Sequence, residues 1–239
     1  MRVFNISPHD DVQRFDMDVD LQVGVLRNLG RGQAHEGPWT PIPVQRLKKP
    51  RKRREESLCD LSAVAANVSV PVMSARARQV LEPILGADAQ WLRLVFDEGE
   101  YWLLNLLRVV DAVDPTMAAV RRFPDGRVAD IEEYAFVAEV VAREWLFKVS
   151  TATFDVLATD RLRELVLDHA LTGFHFQPVW DSGHKPFRVF PGRDHIRSRP
   201  EVFGPDGFVA NYSEFWPAEW KELARQRKRE ARPAAKRAS

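Results

Sequence analysis

Two stretches of this chain echo one another at a fixed distance, and that echo constrains the fold more than any other feature. VMSARARQVLEPIL begins at Val72 and LATDRLRELVLDHA at Leu157, so they align without a gap at an offset of 85 residues. Ser74 falls on Thr159, Arg76 on Arg161, Arg78 on Arg163 and Val80 on Leu165. Each copy reads as a strand end, a hydroxyl residue suited to cap a helix, an Arg-x-Arg first turn and an apolar stripe at helical spacing. If one local fold is used twice, two related strand–helix–strand units follow. Two unrelated capped amphipathic helices would give the same pattern by chance. Two copies do not make a solenoid, which needs three or more.

The flanking pattern supplies strands. Gln90–Phe96 and Tyr101–Val113 are apolar runs separated by a tight turn at Asp97–Glu100 around Gly99. The second run is apolar enough for the centre of a sheet. Ile131–Phe136, Trp145–Val149 and Phe154–Leu157 are further strands, with a Pro-Asp-Gly turn within Arg122–Arg127. A helix is expected over Arg161–Ala170, and Gly173 opens a strand reading GFHFQPVW. In the first copy Pro83 should kink or shorten the helix and Gly86 should stop it. Residues 1–45 are rich in Gly and Pro and weak in periodicity, apart from an alternating stretch, Asp18–Val25, read as a strand. Residues 181–212 are turn-rich, and a last helix should start near Pro217. The expectation is an α+β fold: a mixed or antiparallel sheet with a few packed helices. It forms one domain over residues 1–220, followed by a frayed basic tail over 221–239.

The 239 residues, 45% of them hydrophobic, suffice for such a core. No apolar run approaches the roughly 20 residues that span a bilayer, and the N-terminus lacks a signal-peptide core. A single cysteine, Cys59, excludes an internal disulfide and fits a reducing, cytoplasmic setting.

A net charge of +1 hides a division. Seven of the 35 basic residues lie in 46–54 and eight in 221–239, with two acids in the latter. The rest of the chain then holds 32 acidic against 20 basic residues. Such a body attracts basic partners by long-range steering, or is only well solvated. A specific nucleic-acid binder should instead gather its basic residues on a folded face. The two segments suit non-specific contact at most.

Catalytic patterns are lacking. Six histidines show no H-E-x-x-H spacing, and one cysteine cannot make a Cys-x-x-Cys pair. The glycines form neither G-x-G-x-x-G nor a P-loop, and there is no G-x-S-x-G elbow. No catalytic residue, metal or cofactor is assigned. His9-Asp10-Asp11 and Arg193-Asp194-His195 read as turn caps, and Cys59 as a buried inert thiol. Features suited to a protein partner stand out more. Trp39 lies in the Pro-flanked EGPWTPIP, and Trp216 and Trp220 share a helical face. Asp97, Glu98 and Glu100 cluster before Tyr101. All seven are candidate partner-binding residues, with core packing or a solvated turn as the alternative for each.

Three ordered segments carry a resemblance: SLCDLSAVAANVSVPVMSARARQVLEPIL, EYWLLNLLRVVDAVD and VLATDRLRELVLDHALTGFHFQPVW. With Val70–Ser74, Tyr101–Asn105 and Leu171–Phe176 as their marks, they resemble a bacterial, myxobacterial-type family of immunity proteins from polymorphic toxin systems, once catalogued as a domain of unknown function. The resemblance covers about residues 55–180. It implies a small cytoplasmic α+β protein that binds and neutralises a cognate toxin, often a nuclease, without catalysis of its own. No family residue is known as catalytic, so none is carried over. Two other readings stay open: a hydrolase using His and Asp from 181–212, and a nucleic-acid-associated protein using 46–54 and 221–239.

Overall fold

The computed structural model describes residues 1–9, 12–18, 22–48, 57–65, 67–186, 201–204 and 207–209. The N-terminal segment holds β1 (Arg2–Pro8), β2 (Phe15–Asp16), a π-helical turn (Gln22–Leu26) running into α1 (Arg27–Gly30), β3 (Ile42–Pro43) and β4 (Gln45–Arg46). The first echo copy follows as β5 (Leu61–Val64), β6 (Asn67–Ser74), α2 (Ala75–Leu85), β7 (Ala89–Val95) and β8 (Tyr101–Leu106). A linking stretch carries β9 (Val109–Val110), β10 (Ala119–Arg122), β11 (Val128–Glu133) and α3 (Ala138–Val141). The second copy is β12 (Leu146–Val149), β13 (Ala152–Thr159), α4 (Asp160–Asp168) and β14 (Phe174–Asp181). β15 (Glu201–Gly204) and β16 (Gly207–Val209) come last.

Two seven-stranded sheets result, ordered β16-β15-β14-β1-β13-β12-β9 and β3-β7-β8-β6-β5-β2-β4, and β10 with β11 forms a separate ribbon. Most neighbours are antiparallel; β9–β12, β2–β5 and β3–β7 are parallel. The fold is mixed α+β, as its sequence patterns led us to expect.

The echo is a repeat of structure. In the β5–β6 hairpin Leu61 pairs Met73, Ser62 pairs Val72 and Val64 pairs Asn67. In the β12–β13 hairpin Leu146 pairs Ala158, Phe147 pairs Leu157 and Val149 pairs Ala152, each 85 residues on. Both ladders slip at the same step. In the first unit α2 connects β6 to β7 across the intervening β8, and in the second α4 connects β13 to β14 across β1. Trp102 of β8 faces Met73 as Phe4 of β1 faces Ala158. The N-terminal strand thus fills the place that β8 fills in the first unit, as in a circularly permuted copy.

Three clusters of buried side chains hold these layers. Successive strand residues point to opposite faces, so each central strand feeds two of them. Phe4 and Ile6 of β1, Leu104 and Leu106 of β8, Met73, Ala158 and the inner faces of α2 and α4 meet in a shared core. Phe4 and Phe176 touch edge to face there, with centroids 5.6 Å apart. Val3, Leu157, Phe147 and Trp180 face a second cluster, covered by Ile131 of the ribbon and by Phe136 and Val141. Val72, Leu92, Leu103 and Tyr101 face a third, covered by Phe15, Leu26, Leu29 and Ile42. Burial on both faces explains why all six residues of β8 are buried and why its sequence does not alternate.

Several expectations are corrected. Asp18–Val25 is not a strand: Gln22 onward is helical. Leu26 and Leu29, three apart and just beyond the alternating window, face the third cluster and set the helical period. The run Tyr101–Val113 is not one strand. Leu107 N and Arg108 N both donate to Asp88 O, leaving the ladder, and the chain crosses to the other sheet at β9. The strand expected at Ile131–Phe136 is shifted to Val128–Glu133. The helix expected over Arg161–Ala170 starts and ends earlier, at Asp160–Asp168. β1 was not expected, because Asn5 interrupts its apolar pattern. The turn-rich 181–212 contains β15 and β16. The helix from Pro217, the tail 221–239 and residues 49–54 lie outside the described residues.

Candidate partner-binding face

The turn between β7 and β8 and the segment from Trp39 to Arg46 meet at one end of the second sheet. β3 adds to β7 in parallel, Ile42 beside Leu94 and Pro43 beside Val95, and Val44 N donates to Val95 O at 2.9 Å. The Trp39 indole N–H donates to Arg93 O at 2.8 Å, and its ring meets His35 edge to face at 5.0 Å. The proline-bearing segment explains this course. Pro41 and Pro43 favour extended backbone, and neither needs to donate to a ladder.

The acids of the turn differ sharply in what they face. Glu98 accepts two hydrogen bonds from Arg46, at 2.7 and 2.6 Å, which hold its carboxyl below the usual range. Glu100 meets Arg93 at 3.3 Å. Asp97 has no ion-pair partner among the described residues. Arg46 belongs to the basic run read from the sequence as an exposed loop, yet it is the residue that neutralises Glu98.

Two grooves border the Pro41–Gln45 ridge. One, about 480 Å³, is lined by Pro41, Val95, Phe96, Asp97 and Glu100 among others. The second, about 500 Å³, is lined by Asp16, Met17, Asp18, Pro43, Val44 and Gln45. Both join apolar surface to carboxylates.

Of the seven candidate residues, Trp39, Asp97, Glu98 and Glu100 gather here. Tyr101 lies beneath them, buried between Phe15 and Phe96, with its hydroxyl donating to Cys59 O at 3.4 Å. Burial pushes its phenol up to about 12, helped by the charges of Asp60 and Cys59. Tyr101 therefore supports the turn from below. Trp216 and Trp220 lie outside the described residues. Sequence reasoning missed Asp16, Asp18 and the ridge itself, because β2, β3 and β4 are two-residue strands without periodicity. The one usable signal was the closely spaced prolines.

Elsewhere among the described residues, several charged and nucleophilic groups are tied into the fold. The Lys148 ammonium is fully buried and donates to Gly30 O, Ser69 O and Thr153 O at 3.0, 3.1 and 2.8 Å. Burial pulls it down to about 8, opposed by Asp155. Burial raises Asp155 in turn, while Tyr134 and Asn5 donate to its carboxylate. The Cys59 thiol is buried and pushed up to about 11 by that burial, so it is a poor nucleophile. His175 Nδ1 meets Ser7 Oγ at 3.1 Å, and His184 meets Asp181 at 2.9 Å. No group of three or more His, Cys, Asp or Glu among the described residues is arranged to hold a metal. No helix among them is long and apolar enough to cross a membrane. Of the His and Asp residues of 181–212 to which a hydrolase reading turns, Asp181 and His184 pair with each other, and Asp194, His195 and Asp206 lie outside the described residues.

The described residues thus form a duplicated hairpin–helix α+β body with an acid-rimmed, partly apolar end. The chain belongs to the Immunity protein family (Imm11), whose model matches residues 29–181. The match spans both repeat units but not β1, which completes the second. Comparison with curated proteins gives no match.

Proposed function

We propose that this chain is a non-catalytic immunity protein of the cytoplasm that neutralises a cognate bacterial toxin by covering its substrate cleft, and that this toxin is a nuclease. Membership of an immunity family over residues 29–181 is the observation that carries the reading, since such a family implies a toxin partner. The Pro41–Gln45 ridge and its two grooves form the contact face. There Asp16, Asp18, Asp97, Glu98 and Glu100 outnumber Arg46 and Arg93, around the exposed apolar surface of Val95 and Pro41. Nuclease clefts are basic because they bind phosphates. An acidic face with an apolar centre suits such a cleft in charge and in hot-spot character.

Co-expression with the product of the adjacent open reading frame tests this. Growth that depends on this chain, with a co-purifying complex whose association slows in salt, is the expected result. A harmless neighbour with no complex would remove the reading. A complex with a toxin that leaves nucleic acid intact would remove only the nuclease assignment.

A further inference from the structure

We propose that the groove beside Asp97 seats a single arginine or lysine side chain of the partner, with Asp97 as its counter-ion. The proposal deepens, and rests on, the reading of this end as a protein-binding face. A long basic side chain has an apolar stem and a charged head, and the groove offers a match for each part. Pro41, Val95 and Phe96 line it, and Val95 leaves 49% of its surface exposed. Left open to water, that apolar surface gains from a covering stem.

The head finds Asp97 at the rim. Glu98 and Glu100 stand close in sequence, but their charges are met by Arg46 and Arg93. A cation docking on Glu98 would have to displace a guanidinium bonded to both of its oxygens; Glu100 is met through one oxygen by Arg93, which lines the same groove and repels a second cation there. Asp97 asks for no displacement. The turn therefore presents one uncompensated negative charge next to one exposed apolar surface. A neutral occupant would leave Asp97 unmatched, and an acidic one would be repelled. The groove, at about 480 Å³, lies within the size range of small-ligand sites and admits one long side chain with room to orient.

The test uses the full chain, labelled with nitrogen-15. It is titrated with N-acetyl-arginine amide and, in parallel, with the uncharged N-acetyl-citrulline amide. Saturable amide shifts confined to residues 93–100 are expected, with arginine binding about tenfold more tightly than citrulline. Asp97→Asn should erase that preference and Glu139→Gln, at an exposed acid on α3 away from this face, should leave it. Equal binding of the two amides, no shifts at 93–100, or an equal loss in Glu139→Gln would each overturn the proposal. This arm needs no toxin, so a failed co-expression trial does not touch it. In the toxin complex, Asp97→Asn should weaken binding about tenfold, a difference of about 1.4 kcal/mol. A toxin that binds Asp97→Asn at full strength overturns the groove and leaves the immunity reading standing.

Discussion

The two repeat units use the same positions for different chemistry. At the first helical arginine, Arg76 meets Asp60 in an ion pair at 3.3 Å. Arg161, its equivalent, lies over the Trp145 ring at 4.1 Å, and Trp145 is the equivalent of Asp60. At the second, Arg78 lies over Trp102 at 4.8 Å and pairs with Glu82. Arg163 lies over Phe4 at 5.8 Å, fully buried, and Leu167 stands where Glu82 would be. What is kept is which positions touch. What changes is whether charge, ring or hydrocarbon meets the arginine. Such a pattern points to backbone register as the constraint that both units obey. Side-chain chemistry adapts to what each unit must cover.

The largest test of that view lies where the units differ most. Ala63 and Lys148 are equivalent and both fully buried. Lys148 ties the end of α1, β6 and β13 together through three carbonyls. Lys148→Met would leave all three carbonyls without their donor and Asp155 without its nearby cation. We expect a loss of about 3–5 kcal/mol, measured by urea denaturation. A loss below about 1 kcal/mol would mean that water replaces the ammonium and that the two positions are interchangeable. Ala63→Lys, with no such cage, should prevent folding.

Alkaline pH offers the next comparison. The Cys59 thiol and Tyr101 phenol of the first unit are raised by burial, to about 11 and about 12, from 9.0 and 10.0. Their second-unit equivalents are Glu144 and Val3. A raised pKa means the folded state holds the proton that the unfolded chain gives up. The stability so gained is whole below pH 9 and is lost as pH rises towards 11 and 12, at up to about 1.4 kcal/mol per pH unit for each group. Tyr134, raised further still, adds to the fall. Lys148, lowered to about 8, works the other way up to 10.5 and partly offsets it. Stability should therefore be nearly level from pH 9 to 10, where Cys59 and Lys148 oppose one another, and fall above about pH 10; Cys59→Ala should turn the level stretch into a rise and make the fall up to pH 11 shallower. An unchanged slope would show that this thiol ionises freely in the folded chain.

How much of this was legible in the sequence follows from range. The Ser74 cap, the Gly99 hairpin and the apolar strand that opens at Tyr101, expected as far as Val113 and ending at Leu106, rest on neighbours a few residues away, and the 85-residue echo on comparing two such local patterns. They were readable for that reason. β1 was not, because its identity as a central strand depends on β13 and β14, more than 140 residues away. The crossing at Leu107 depends on Asp88 O, which no periodicity reports. At the partner-binding face the acids and Trp39 were visible as composition. Their pairing with Arg46 and Arg93 was not, so the turn read as three free carboxylates where the fold leaves one.

The helix starts discriminate more finely. Ser74 Oγ accepts from Ala77 N at 3.1 Å and donates to Asp60 at 2.6 Å. Thr159, its match in the echo, makes no capping bond; its hydroxyl donates to Glu144 O at 2.7 Å. Ser74→Ala should cost about 1–2 kcal/mol, and Thr159→Val about 1 kcal/mol or less. Equal losses in thermal unfolding would mean that the cap contributes nothing beyond one buried hydrogen bond.

The smallest effect lies at the helix ends, and it has the opposite sign. α2 stops at Gly86, whose φ of +50° suits a residue without a Cβ. α4 closes differently. Leu171 N donates to Val166 O and Ala170 N to Leu167 O, the two bonds of a Schellman turn, with Leu171 buried over the last helical turn. That motif wants glycine at its left-handed position, and here an alanine occupies it, at φ +48°. Ala170→Gly relieves the Cβ clash, worth roughly 1–2 kcal/mol, but frees the unfolded chain by about 0.4–1 kcal/mol. A net gain of about 0.5 kcal/mol should remain, visible as a small rise in the urea midpoint at constant m. Gly86→Ala should lose about 1 kcal/mol, since no neighbouring atom lies within 4 Å and the cost is backbone alone. Opposite signs at these two ends would show that the units share a register but not a terminator. A loss at Ala170 would instead place the left-handed strain elsewhere in the turn.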